Sequence, residues 1–149
     1  MEKDNVICEI QECDLKKLQQ ILRDVFNNNI TYESMRNLYK QCRNNRDTHI
    51  LGYYIKGDLA GTVILKILIL PSGKEATIWD LAVKEEYRNL GIGTKLMNKA
   101  EEITRKYEDI TKIWLFSGVY RENAHKLYRK LGYNEYRDKA FIKELKKET

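Results

Sequence analysis

The chain is poor in the residues that mark secreted, metal-stapled or membrane-spanning proteins. Its 149 residues include three cysteines, Cys8, Cys13 and Cys42. An odd number without C-x-x-C spacing argues against a disulfide framework and a zinc site, and a reducing compartment fits. The two histidines, His49 and His125, are too far apart in sequence to suggest a metal motif, and no metal is expected. No apolar run is longer than that from Ile67 to Leu70, which is far too short to cross a bilayer. The first residues, Met1 to Asn5, lack the apolar core of a secretion leader. A cytoplasmic protein with no membrane partner is therefore the expectation. Proline occurs once, at Pro71, in the turn Pro71-Ser72-Gly73-Lys74. No repeat, linker or low-complexity tract divides the chain, so one domain spanning 1–149 is expected.

Charge is plentiful but not clustered. The net charge is +5, yet the basic residues are scattered, and Lys143, Lys146 and Lys147 form only a short C-terminal group. No basic stripe with interleaved aromatics appears, so nucleic acid is not an expected partner. A polyanionic small ligand would suit such a surface equally well.

Periodicity suggests strand, two helices, three strands, helix, strand, helix and two strands. Val6 to Ile10 reads as a first strand. Asp14 is placed to cap a helix carrying Leu15, Leu18, Leu22 and Val25 on one face, and Asn27-Asn28-Asn29 breaks it. A second helix begins near Thr31 or Tyr32 and carries Met35, Leu38, Tyr39 and Cys42. Thr48 to Ile55, Leu59 to Ile69 and Ala76 to Val83 read as strands. A helix from Thr94 to Tyr107 continues a stripe of Ile92, Leu96, Ala100, Ile103 and Tyr107. Lys112 to Ser117 is a further buried strand, and Tyr133 to Tyr136 and Ala140 to Leu145 close the chain as short strands. Hairpins followed by a strand-helix-strand crossover imply a mixed α/β sheet, mostly antiparallel, with helices on its faces.

The most informative stretch is Arg88-Asn89-Leu90-Gly91-Ile92-Gly93, between a strand and a helix. The first amides of a helix lack intrahelical acceptors and its dipole favours negative charge there. Gly91 and Gly93 permit close backbone approach and unusual dihedrals, Arg88 adds a positive charge, and Thr94 adds a hydroxyl. The spacing is not that of two common nucleotide motifs. A Walker loop needs Lys-Ser/Thr after its second glycine, and Gly93-Thr94-Lys95 reverses that order. A dinucleotide fingerprint needs a third glycine where Leu96 stands. Taken alone, the string also reads as a tight turn whose glycines serve only the backbone.

A second string follows the next strand: Asn123-Ala124, then Tyr128 four residues after Ala124, then Gly132-Tyr133. Together, in this order and each behind a strand, the two strings resemble the signatures of the GCN5-related N-acetyltransferases over roughly Glu75 to Leu145. The resemblance implies the acetyltransferase fold, with its fourth and fifth strands splayed around the pantetheine arm of acetyl-CoA. Here those strands are Ala76 to Val83 and Lys112 to Ser117. It also implies acetyl transfer to a primary amine by direct attack in a ternary complex, with acetyl-CoA as co-substrate. The pyrophosphate is expected on Arg88, Asn89, Leu90, Gly91, Ile92, Gly93 and Thr94. A homodimer is compatible with this reading. The competing class is a non-catalytic acyl-CoA-binding or regulatory module.

Individual residues carry two readings each. Exposed backbone groups of Leu81, Ala82 and Val83 can pair with the pantetheine amides or donate to the thioester oxygen, while their side chains pack as core. Tyr128 matches the family's general acid, and a phenol is protonated at neutral pH; its periodicity with Ala124, Leu127 and Leu131 equally suits core packing. Asn123 matches a pantetheine contact or caps its helix. Asp80 shares a strand face with Ala76, Ile78 and Ala82; it can accept the substrate proton, bind the ammonium, or form a structural ion pair. Small amines, aminoglycoside-like polyamines, amino acids and peptide or protein amines are all open as acceptors. The same resemblance implies that selectivity comes from Phe26 to Tyr32 and the Arg137-Asp138-Lys139 turn.

Overall fold

The computed structural model describes residues 4–146. Met1 to Lys3 of the N-terminus and Lys147 of the basic cluster lie outside them. A five-stranded sheet runs in the order β1 (Asn5–Glu9), β2 (Thr48–Ile55), β3 (Asp58–Leu70), β4 (Gly73–Val83), β5 (Ile113–Leu115). The first three pairings are antiparallel and β4–β5 is parallel. The mixed α/β fold read from the sequence is thus the one observed.

Local chemistry explains most boundaries. Helix α1 (Leu15–Phe26) ends on Asn27 in the left-handed region (φ 55°), whose N–H reaches the Arg23 carbonyl. Helix α2 (Tyr32–Arg43) starts on Thr31, whose hydroxyl accepts from the Ser34 N–H at 3.2 Å. Lys56 and Gly57 both take positive φ, as the two-residue hairpin between β2 and β3 requires. Helix α3 (Ile92–Arg105) follows β4, and α4 (Glu122–Lys130) follows β5.

Two cores flank the sheet. On one face Ile92, Leu96, Met97 and Ala100 of α3 pack against Val63, Leu65 and Ile78, with Tyr128 and Leu131 at the margin. On the other, Leu18, Ile21 and Leu22 of α1 and Met35 and Tyr39 of α2 pack against Leu59 and Ala82. The Tyr39 hydroxyl donates to the Ile10 carbonyl at 2.8 Å, tying α2 to the end of β1.

Several expectations need correction. Asp14 sits at the α1 cap position but caps nothing; its carboxylate accepts from the Tyr54 hydroxyl at 2.8 Å. Leu38 is half exposed rather than core. Helix α3 begins two residues earlier than expected, because Gly91 takes the cap position. The two C-terminal strands do not form: residues 133–146 hold no strand, and Phe141, Ile142 and Leu145 face solvent. Strand β5 offers a three-residue edge, too short a template for the alternation in Ala140 to Leu145 to find a partner.

Candidate functional site

The site is built where β4 leaves its neighbours. Opposite β3, Thr62 faces Ala82 while Ile64 faces Trp79, so Asp80 and Leu81 together oppose Val63. This is a β-bulge, and Asp80 supplies its left-handed residue at φ 52°. The extra residue reverses the alternation. Ala76 and Ile78 pack in the α3 core, whereas Ala82 packs in the α1–α2 core. The expected shared face of Ala76, Ile78, Asp80 and Ala82 is therefore broken at Asp80 itself.

On its other side β4 pairs with β5 over Ala76–Ile78 only, opposite Ile113–Leu115. Beyond that point the strands part, and Trp79 and Phe116 stand 6.0 Å apart between ring centroids, both accessible. The register with β3 turns the backbone groups of Ala82 to Thr62 and leaves those of Leu81 and Val83 on the side of the opening, while the side chains of Leu81 and Val83 pack on the α3 core. Hydrogen-bonding groups on such an edge can receive an extended amide-bearing ligand.

The β4–α3 connection ends this opening. It comprises a 3₁₀ turn (Glu85–Tyr87), then Arg88, then Asn89 and Gly91 in the left-handed region at φ 65° and 78°. Gly91 is the cap of α3 with no side chain bonding to the helix, and the first main-chain closure is Lys95 N–H to the Gly91 carbonyl at 3.1 Å. The amides of Ile92, Gly93 and Thr94 therefore lack intrahelical acceptors, and a Cβ on Gly91 would meet nothing within 4 Å. Open amides at a helix N-terminus suit a phosphate group. Gly93 differs from expectation: its φ is not positive, and its use is packing, since a Cβ there would stand 3.2 Å from Leu127 Cδ2. Arg88 is exposed, and its Nε donates to the Val83 carbonyl at 3.3 Å.

Helix α4 closes the opposite wall. Tyr128 is half-buried against the α3 core, 6.2 Å from Tyr133 between ring centroids. Burial pushes its phenol above the usual range, and the Arg121 cation partly opposes this. Asn123 lies within the first turn of α4 and is exposed; Arg121, not Asn123, holds the cap position. The side chain of Asp80 is accessible, yet the protein around it raises its carboxyl pKa by desolvation. Among the described residues no cation pairs with it.

Two pairs escaped the sequence reading. His125 and Ser117 meet at 3.1 Å, joining α4 to the end of β5 one turn before Tyr128. The Arg121 guanidinium lies 4.6 Å over the Phe26 ring, joining the α4 cap to the end of α1. Neither has a local sequence signal, because each contact joins two separate elements. A cavity of about 1270 Å³ runs along the outer edge of β5, bounded by Trp114, Ser117, His125, Tyr128 and Tyr133; the Arg88–Thr94 turn lies outside it. Among the described residues no group of three or more His, Cys, Asp or Glu side chains could hold a metal ion, and no helix is long and apolar enough to cross a membrane.

Comparison with known proteins converges on one family. A model described as the acetyltransferase (GNAT) family matches residues 15–133. An N-alpha-acetyltransferase of Sulfurisphaera tokodaii is 34% identical over 62 residues, covering 42% of this chain and 37% of the relative. N-alpha-acetyltransferase 50 of Danio rerio is 28% identical over 120 residues, covering 80% of this chain and 66% of the relative. The chain thus spans less than two thirds of the length of both. Among solved structures, the aminoglycoside acetyltransferase meta-AAC0020 from an uncultured soil metagenomic sample, in complex with sisomicin, superposes with a TM-score of 0.81. It is 20% identical and covers 97% of this chain and 99% of its own. At that identity the likeness concerns the fold.

Proposed function

Because the chain belongs to the acetyltransferase (GNAT) family, we propose that it transfers the acetyl group of acetyl-CoA to the α-amine at the N-terminus of a peptide or protein. The N-alpha-acetyltransferase names of the two sequence relatives support this choice of acceptor over a polyamine. The observation that carries the site is the opening along β4, unpaired with β5 from Trp79 onward and ending at the uncapped amides of α3.

In this reading the turn from Arg88 to Thr94 holds the pyrophosphate. The vacant space around the Gly91 Cα and the free amides of Ile92, Gly93 and Thr94 fit such a group. Leu81 and Val83, with Ala82 between them, offer main-chain partners to the pantetheine amides, and an N–H there faces the oxygen on which charge develops. Asn123, exposed on the first turn of α4, contacts the same arm. The acceptor approaches along the side where Asp80 and the Trp79–Phe116 pair are accessible.

The amine attacks while both substrates are bound, forming the C–N bond as the C–S bond breaks. Asp80 receives the amine proton, directly or through water; its raised carboxyl pKa makes it a better proton acceptor than an ordinary aspartate. Tyr128, kept protonated by burial, supplies a proton to the departing sulfur.

The test is a panel of free-thiol assays with acetyl-CoA. Peptides with free α-amines are expected to be acetylated. Their N-terminally blocked counterparts, lysine side chains and polyamines are expected to be poor acceptors. Turnover confined to polyamines or lysine side chains would overturn the acceptor assignment.

A further inference from the structure

Away from the opening, on the β2–β3 hairpin, Asp58 gathers an unusual set of partners. Its carboxylate stands 3.2 Å from Lys84 Nζ, 3.1 Å from the Tyr87 hydroxyl and 3.7 Å from Lys17 Nζ. Burial alone would raise this carboxyl, but Lys84, Tyr87 and Lys17 together hold it below the usual range. Two of the three partners belong to one short segment. Lys84 is the first residue after β4, and Tyr87 closes the 3₁₀ turn immediately before Arg88. The same segment is tied at the main chain, where the Lys84 N–H donates to the Ala60 carbonyl at 2.8 Å.

From these contacts we infer that Asp58 is a positioning residue for the cofactor turn. It clamps the entrance of the β4–α3 connection to the start of β3, so that Arg88, Asn89 and Gly91 are held in their bound-ready path before a ligand arrives. The physical need is entropic. Asn89 and Gly91 both occupy the left-handed region, and a connection free at its entrance would have to be ordered into that path on binding. Asp58 fixes the entrance from a different hairpin, without approaching the ligand itself. Lys17 extends the clamp to α1, and through Lys17 to Asp14, 4.0 Å away.

This inference rests on acetyl-CoA occupying the Arg88–Thr94 turn, so the experiment separates the two. Acetyl-CoA and coenzyme A affinities are measured by calorimetry for wild type, Asp58→Ala, Tyr87→Phe, the double variant and Gly91→Asp, with melting curves for each. A clamp predicts a rise in Kd of about 3- to 10-fold for Asp58→Ala, the scale of one or two accessible charge-assisted contacts. Tyr87→Phe should give a smaller rise. The double variant should bind about as well as Asp58→Ala, since the two residues share one interaction. The KM for acetyl-CoA should rise with Kd while kcat at saturation is retained, a split that a merely structural role would not produce. If Asp58→Ala fails to fold, Tyr87→Phe, which loses one oxygen, decides. Unchanged affinity in Asp58→Ala and Tyr87→Phe, with binding lost in Gly91→Asp, overturns the clamp alone. Normal binding by Gly91→Asp removes the turn as the cofactor site and the clamp with it.

Discussion

Gly91 offers the cleanest separation of backbone strain from ligand electrostatics. Its φ of 78° belongs to the left-handed region, which Asn and Asp tolerate better than other residues, and nothing lies within 4 Å of the Cβ position. Gly91→Asn and Gly91→Asp are nearly isosteric, so both pay a similar conformational cost of about 1 kcal/mol, or roughly 2–4 °C in Tm at this chain length. Only aspartate adds a negative charge beside the free amides of Ile92 and Gly93. One unit charge 4 Å from another costs about 1 kcal/mol in bulk water and about 4 kcal/mol at the effective dielectric near a protein surface. Acetyl-CoA affinity in the aspartate variant should therefore fall about 5- to 10³-fold below that of the asparagine variant. Calorimetry at low salt reads this difference, and it should shrink near 1 M salt, where screening acts over about 3 Å. Equal affinities for the two variants at low salt would refute a phosphate at the α3 N-terminus. Equal melting temperatures with split affinities would support it.

The parts of this molecule that were readable in advance are those decided within a few residues. The Gly91 turn and the stripe Ile92, Leu96, Ala100 are local signals, and the structure places them together on a helix start. Thr31 caps α2 for the same reason. What escaped depends on register or distance. Asp80 looks like one more residue of an alternating strand. Only the pairing with β3, where Asp80 and Leu81 share one partner, turns it into a left-handed bulge and moves Ala82 to the opposite core. Asp14 has the right residue type for a cap, but Tyr54, forty positions away, takes its carboxylate. Asp58, Lys84 and Tyr87 show no local pattern because a hairpin and a crossover loop bring them together. The C-terminal strands do not form for a related reason. Alternation predicts a strand only where an edge exists to pair with, and β5 is three residues long.

Other substitutions probe the core and the chemistry. Gly52→Ala would put a Cβ 2.7 Å from Leu59 Cδ1 and 2.8 Å from Ile10 Cγ1, both fully buried, and urea unfolding should show a loss of about 1–3 kcal/mol. Tyr128→Phe keeps the ring in the α3 core but removes the proton donor; kcat should fall about 10²- to 10⁴-fold with acetyl-CoA affinity retained, and full activity would return Tyr128 to a packing role. Asp80→Asn tests the base through pH. Desolvation raises the folded-state pKa of Asp80, so the folded protein binds this proton more tightly than the unfolded chain. The stability linked to that proton is fully present below the unfolded value near about 4 and is lost as pH rises through the folded pKa. Asparagine removes this loss, so the variant should melt like wild type at low pH and at an equal or higher temperature at neutral pH. If Asp80 also takes the amine proton, turnover of the variant should fall and the acidic limb of its kcat/KM profile should disappear. A lowered melting temperature at neutral pH, with wild-type rates across the profile, would instead show that the Asp80 carboxylate serves the fold and not the chemistry.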